Sequence, residues 1–324
     1  MTGSFSTLTL PESFPVLRCR LSFTVQDTIR WPDYEGSTLR GLFGRGLRKV
    51  ACVTGKDDCA ACPQAAGCAY RSVFDPLPPP SMTGRAGHLC QPYVIEPSLE
   101  PRRILQPNDT YQFDHLLFGS TSRWLSLVLL GWREALSLPI GGTKGRASLT
   151  TASLLSGPND AAIVMDQNGP RVPAQLPQEH HSIALKLQEV IPESVNITFQ
   201  TPLRLKRDGK LVNEKELDSP DILLAVARRV TETTTFYSTT KAVIDYPQVR
   251  SLCRGITIKK GPLKWQSVQR WSNRKNQNMS LSGIVGQVNL KGNLEPFWSL
   301  LRFAEILHIG GKATFGLGRY RLDW

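Results

Sequence analysis

Four cysteines, Cys52, Cys59, Cys62 and Cys68, fall within one short stretch as C-x6-C-x2-C-x5-C. A C-x2-C pair with two further thiols nearby supplies the four sulfurs of a tetrahedral thiolate site. Zinc is the simplest occupant, and an iron–sulfur cluster uses the same ligand count. A set of free buried thiols is the alternative. Cys90 could replace one ligand, while Cys19 and Cys253 read as core residues. The chain has 7 cysteines, an odd number, and a disulfide framework is not expected. The cluster directly follows a helical stretch, so it reads as a structural clip on an insertion.

A second pattern is "HIGGKATFGLGRY" at 308–320, with Gly310, Gly311, Gly316 and Gly318 among Lys312 and Arg319. A Rossmann fingerprint runs from strand to helix, and this stretch runs from helix to strand. A Walker A loop ends in Gly-Lys-Ser/Thr, which is missing here. One helix C-cap explains one or two glycines but not four. A glycine-lined backbone can approach phosphates and offer several N–H donors. A thinner version, "IGGTKGRASL", stands at 140–149.

The third pattern is charge. The net charge is +12 over 324 residues, which points to a polyanionic partner. From 246 to 294 there is no Asp or Glu. The same window holds Arg250, Arg254, Lys259, Lys260, Lys264, Arg270, Arg274, Lys275 and Lys291, with Trp265 and Trp271 among them. Cations hold phosphates and aromatic faces stack unpaired bases, so the stretch reads as an RNA contact. Core packing is the alternative for the tryptophans.

The elements that carry these patterns follow from periodicity. "FPVLRCRLSFTV" (14–25) alternates as a strand. A helix follows at 37–52, capped by Ser37, with Gly41, Gly44 and Gly46 inside it. Such glycines cost roughly 1 kcal/mol each against alanine, which implies close approach by another backbone or a ligand. Stretches 91–97 and 111–119 read as strands, and 122–136 as a buried helix leading into the first glycine loop. The second half repeats this order. It has a strand at 194–206, a helix at 219–237 capped by Ser219 with Pro220 at its first position, a strand at 281–290, a helix at 295–308 and a final strand. The expectation is an α+β protein of two tandem ferredoxin-like units, βαββαβ, with the two glycine loops as equivalent joints of a duplication. The boundaries are an N-terminal domain 1–155 with the Cys-rich insertion at about 52–90, a linker 156–183 rich in Pro, Gly, Asn and Gln, and a C-terminal domain 184–324. No segment pairs a basic stretch with an apolar run long enough for a signal or a membrane span, so the expected location is cytoplasmic with no membrane partner.

The terminal glycine motif resembles that of the CRISPR-associated pre-crRNA-processing endoribonucleases of the RAMP superfamily. So do "ITFQTPLRLKRDGKL", "LAVARRV", "WQSVQRWSNRKNQNMSLSGIVGQVNLKG" and "GSTLRGLFGRGLRK". The resemblance covers nearly the whole chain. It implies tandem ferredoxin-like domains and binding of CRISPR repeat RNA. It also implies cleavage that needs no metal, with the RNA's own 2′-hydroxyl as nucleophile and 5′-hydroxyl and 2′,3′-cyclic phosphate ends. Effector-complex subunits are further partners, and a non-catalytic RNA-binding subunit of such a complex is the alternative function.

This chemistry needs a base, an acid and a cation on the developing phosphorane. Many relatives carry a histidine on the first helix, and residues 37–52 have none. Of the histidines, His180 and His181 fall in the linker, and His88 and His115 near strands read as structural. His308, beside the glycine loop, is the first catalytic candidate, with a helix-terminal histidine favoured by the helix dipole as its alternative. Tyr34, Arg45 and Lys49 are the further catalytic candidates. Arg40 and Arg48 join the RNA-binding set of glycines, lysines, arginines and tryptophans above.

Overall fold

The computed structural model describes residues 8–77, 89–100, 102–157, 160–173, 182–184, 190–272 and 277–324. The chain divides into two compact units, Pro15–Ser182 and Met1–Phe14 with Ile183–Trp324.

In the first unit the elements run β1 (Ser13–Val25), α1 (Glu35–Ala51), β2 (Tyr93–Glu96), β3 (Thr110–Phe118), α2 (Leu125–Ser137), β4 (Ala147–Gly157) and β5 (Asp160–Asp166). The sheet order is β2-β3-β1-β4-β5, every neighbouring pair antiparallel. The first four strands have the arrangement of a split βαβ pair. Register places Leu21 beside Phe113 on one side and Ala152 on the other. Alternate residues of β1 therefore face the helices, where Leu21, Phe23, Leu42, Phe43, Leu129 and Trp132 form the core.

Two of the costly helix glycines have their reason here. A Cβ on Gly46 would lie 2.1 Å from the Gly131 carbonyl oxygen, and one on Gly44 would lie 2.3 Å from the Phe74 ring. The close approach is by protein. Helix α1 starts earlier than expected: its N-cap is Tyr34, with no side-chain cap bond, rather than Ser37.

The stretch expected to be a linker, 156–183, contains β5, which pairs with β4 and buries Val164 and Met165. Its short apolar run, "AAIVM", is the part that forms the strand.

The second unit repeats the plan with β6 (Ser194–Leu203), α3 (Ser219–Tyr237), α4 (Tyr246–Cys253), β7 (Thr257–Gln266), a hairpin of β8 (Gln269–Ser272) and β9 (Gln277–Ser280), β10 (Gly283–Lys291), α5 (Glu295–Leu307) and β11 (Tyr320–Asp323). The sheet order is β7-β10-β6-β11, again antiparallel throughout. Ile197 sits between Val288 and Leu322. The cap of α3 is Asp218, one residue before the expected Ser219, and it forms a reciprocal capping box with Asp221. Helix α4 was not anticipated. Its signal is Asp245, whose carboxylate accepts from the Gln248 N–H at 3.1 Å, followed by Pro247 in the first turn.

Candidate nucleic-acid interface

Strand β7 is the edge of the second sheet. Lys259, Lys260 and Lys264 are exposed on it, and Trp265 is 38% exposed. The ladder to β10 shifts register between Lys260 and Leu263, at Pro262, a residue that sheets accept at edges and bulges. Lys260 donates from Nζ to the Lys215 carbonyl at 2.6 Å. A run of like charge along an edge also discourages pairing with another sheet.

The hairpin carries Arg270, whose guanidinium carbon lies 5.1 Å from the centre of the Phe315 ring. Lys312 Nζ lies 5.7 Å from the same ring. Phe315 belongs to the glycine loop and is buried, so the hairpin and the loop bring two cations to one enclosed aromatic ring. Trp271 lies on β8 with its side chain outside the described residues, and Arg274 and Lys275 also lie outside them.

The glycine loop itself differs from the expected phosphate cradle. The Gly311 N–H donates to the Arg204 carbonyl at 2.9 Å, Gly318 to Pro202 at 3.1 Å, Gly316 to Ala313 at 2.8 Å, and Ile309 to Gly318 at 3.1 Å. The Thr201 hydroxyl bonds the Gly316 carbonyl at 2.8 Å and accepts from the Arg319 N–H at 2.9 Å. These donors are spent inside the protein. Gly316 and Gly318 are buried; Gly311 and Lys312 are exposed, and Gly310 is half-buried. Gly310 has φ +80° and a Cβ there would lie 2.6 Å from the Arg204 oxygen.

The earlier loop is built the same way. Gly142 donates to the Arg30 carbonyl at 3.0 Å, Ile140 to Gly145 at 2.8 Å, and a Cβ on Gly141, at φ +66°, would lie 2.3 Å from the Arg30 oxygen. The shared glycines serve shared backbone packing.

His308 is completely buried, and its Nδ1 lies 3.3 Å from the Leu317 carbonyl oxygen. It follows α5 at φ 57°, and the preceding Leu307 carbonyl accepts two bonds from buried Arg229, at 3.1 and 3.0 Å. A fully buried imidazole meets no substrate, so the expectation of a catalytic His308 is corrected to a structural role. His115 is buried as well. It accepts from Trp132 Nε1 at 3.0 Å, and burial pushes its pKa down to about 3. His88, His180 and His181 lie outside the described residues.

The α1 candidates separate. Tyr34 stands at the start of the helix and Lys49 near its end, roughly 22 Å apart at about 1.5 Å per residue. They cannot share one reacting phosphate. Arg45 and Lys49 are four residues apart, both exposed, on one face. Arg45 reaches the Pro139 carbonyl at 3.5 Å, and Lys49 pairs with Glu134. Arg40 covers the Phe74 ring at 4.4 Å, and Arg48 bonds the Lys56 carbonyl at 2.9 Å and Asp57 at 3.2 Å. Both are engaged in holding the first unit together.

Cys52, Cys59, Cys62 and Cys68 line one cavity of about 150 Å³. Among the described residues no three His, Cys, Asp or Glu side chains stand close enough together to hold an ion. Cys19 and Cys253 are buried, as expected of core residues. No helix among the described residues is long and apolar enough to cross a membrane.

The fold defines a class, proteins of two tandem ferredoxin-like units. Within it, residues 197–320 match the family model of the CRISPR-associated endoribonuclease Cas6, and residues 14–177 match a family model described as an N-terminal domain. The Cas6 match thus falls within the second unit and the N-terminal-domain match within β1 and the first unit. An uncharacterized protein of Archaeoglobus fulgidus is 21% identical over 296 residues, 90% of this chain and 92% of that protein. A solved Cas6 product complex aligns with a TM-score of 0.53 at 14% identity, over 95% of this chain and 99% of that one. A chain of a partial Cas6-RT-Cas1–Cas2 complex aligns with a TM-score of 0.58 at 14% identity over 97% of this chain. This chain spans 47% of that longer one.

Proposed function

We propose that this chain binds CRISPR repeat RNA and cuts the precursor by attack of the RNA's own 2′-hydroxyl, leaving 5′-hydroxyl and 2′,3′-cyclic phosphate ends without a catalytic metal. The carrying observation is the edge strand β7 with its three exposed lysines and half-open Trp265, adjoining the Arg270–Phe315–Lys312 cluster. Backbone phosphates take the lysines and an unpaired base takes the exposed part of the Trp265 ring. Arg45 is an exposed cation on α1, the kind of group that stabilises a phosphorane, and Lys49 on the same face would have to leave Glu134 to join it.

The test uses the chain's cognate repeat RNA in two forms, all-ribose and with a single 2′-deoxy substitution at the cut site. The all-ribose strand should be cut with excess chelator present, and the deoxy strand should bind and stay whole. Cutting of the deoxy strand sinks the mechanism.

The second reading is a non-catalytic RNA-binding subunit of an effector complex. The burial of both described histidines favours it, because among the described residues the side chain best suited to acid–base work at neutral pH does not reach the surface. Tight binding of both RNA forms without any cutting decides for it.

A further inference from the structure

The loop between α1 and the short helix Ala69–Val73 is anchored at both ends. Cys52 is the C-cap of α1, its N–H donating to the Arg48 carbonyl at 2.9 Å, and Cys68 is the N-cap of the following helix. Both flanking elements are rooted in the core through Leu47 and Val73, each fully buried. Between the anchors the only regular structure is the turn Ala65–Gly67, and no residue of 52–68 is buried. Apolar packing therefore does not hold this segment.

Its side chains are nevertheless sorted. Within 52–68 every residue is exposed except the four cysteines and Ala65. The loop turns its thiols, with Ala65, inward and the rest outward. All four line the one cavity, whose wall also carries Arg48, Lys56 and Arg71. The Thr54 hydroxyl lies 3.9 Å from the Cys52 sulfur and 3.5 Å from the Cys62 sulfur, so those two thiols share one polar neighbour.

We infer that Cys52, Cys59, Cys62 and Cys68 form a tetrathiolate site for one zinc ion that ties the two anchored ends of this loop together. Four thiolates around Zn²⁺ leave surplus negative charge, and the cations on the same wall are Lys56 together with Arg48 and Arg71, which pair with Asp57 and Asp75. The sulfurs line the wall without meeting at one point, so Zn–S bonds of about 2.3 Å require the loop to draw inward. Its unpacked, exposed residues do not resist that movement. The site is structural, closed by four protein ligands with no position left for a substrate. It stands apart from the reading of RNA cleavage, and its test reads metal rather than activity.

The full chain is expressed in zinc-supplemented medium, exchanged into metal-free buffer with reductant, and analysed for metals by mass spectrometry. The expected content is about one zinc per chain, lost in Cys59→Ser/Cys62→Ser and kept in Cys253→Ser, whose thiol lies in the core. A zinc content of less than about a tenth of an equivalent, retention of zinc by the double variant, or an iron–sulfur absorbance band overturns the assignment. A measurement on the unmutated chain covers a double variant that fails to fold. Limited proteolysis should cut within 52–68 only after a strong chelator is added, and equal cutting with and without chelator also counts against the site.

Discussion

The Gly311 N–H donates to the carbonyl oxygen of Arg204, the residue that follows β6, at 2.9 Å. Gly142 makes the same bond to Arg30 at 3.0 Å in the first unit. Each glycine loop is thus pinned to the chain that leaves the first strand of its own unit. The loops are joints of the fold, and the second presents Lys312 at the surface as a consequence of being held there.

This distinction gives opposite outcomes for two glycines. Gly318 has φ +69° and a Cβ there would lie 1.8 Å from the Ile309 oxygen, while nothing lies within 4 Å of a Cβ on Gly41 in α1. Gly318→Ala should lower unfolding free energy by about 2 kcal/mol or more. Gly41→Ala should raise it by roughly 1 kcal/mol. Denaturant titration measures both, and a harmless Gly318→Ala refutes the packing account.

The edge strand makes a prediction about salt. Lys259→Ala and Lys264→Ala should each reduce the slope of log affinity against log salt by about 0.7 on single-stranded repeat RNA. Trp265→Ala should weaken binding by about 1–3 kcal/mol through lost base stacking, with an unchanged thermal midpoint. Fluorescence anisotropy across a salt series checks all three, and unchanged slopes remove β7 from the interface.

His308→Ala should act on stability rather than on chemistry. Its ring fills a closed space beneath Leu317, so truncation should cost about 1–3 kcal/mol. The cutting rate per folded molecule should stay at the wild-type level. Single-turnover assays at a temperature where the variant is folded decide this, and a selective loss of rate would restore His308 as a catalytic candidate.

Acid sensitivity should trace to His115. Buried with its Nδ1 accepting from Trp132, it stays unprotonated down to about pH 3 in the folded chain. Unfolded, it takes a proton near pH 6.5. The unfolded state binds more protons between those values, so this contribution is complete above about pH 6.5 and declines as pH falls toward 3, by at most about 1.4 kcal/mol per unit. His115→Phe should flatten the fall in melting temperature between pH 6.5 and 4. An identical slope in the variant would assign the acid sensitivity elsewhere.

The sequence alone was enough for the repeated strand–helix order, because alternation at Leu21 and Phe23 and the helical spacing of Leu39, Leu42 and Leu47 are local signals of which face is buried. It was also enough for the one-signed run through β7, since a missing carboxylate is a matter of composition. Strand β5 escaped because five apolar residues between turns read as linker until a neighbouring strand pairs with them.

The roles of individual site residues were decided only by the tertiary structure. Whether a glycine serves a ligand or a backbone depends on what faces it. Gly46 faces Gly131 and Gly310 faces Arg204, partners far away in sequence. Whether a histidine can meet substrate depends on burial, and His308 and His115 are enclosed by elements that periodicity does not bring together. Residue type and spacing set what chemistry a segment can do; close packing between distant segments sets which of those groups reach solvent.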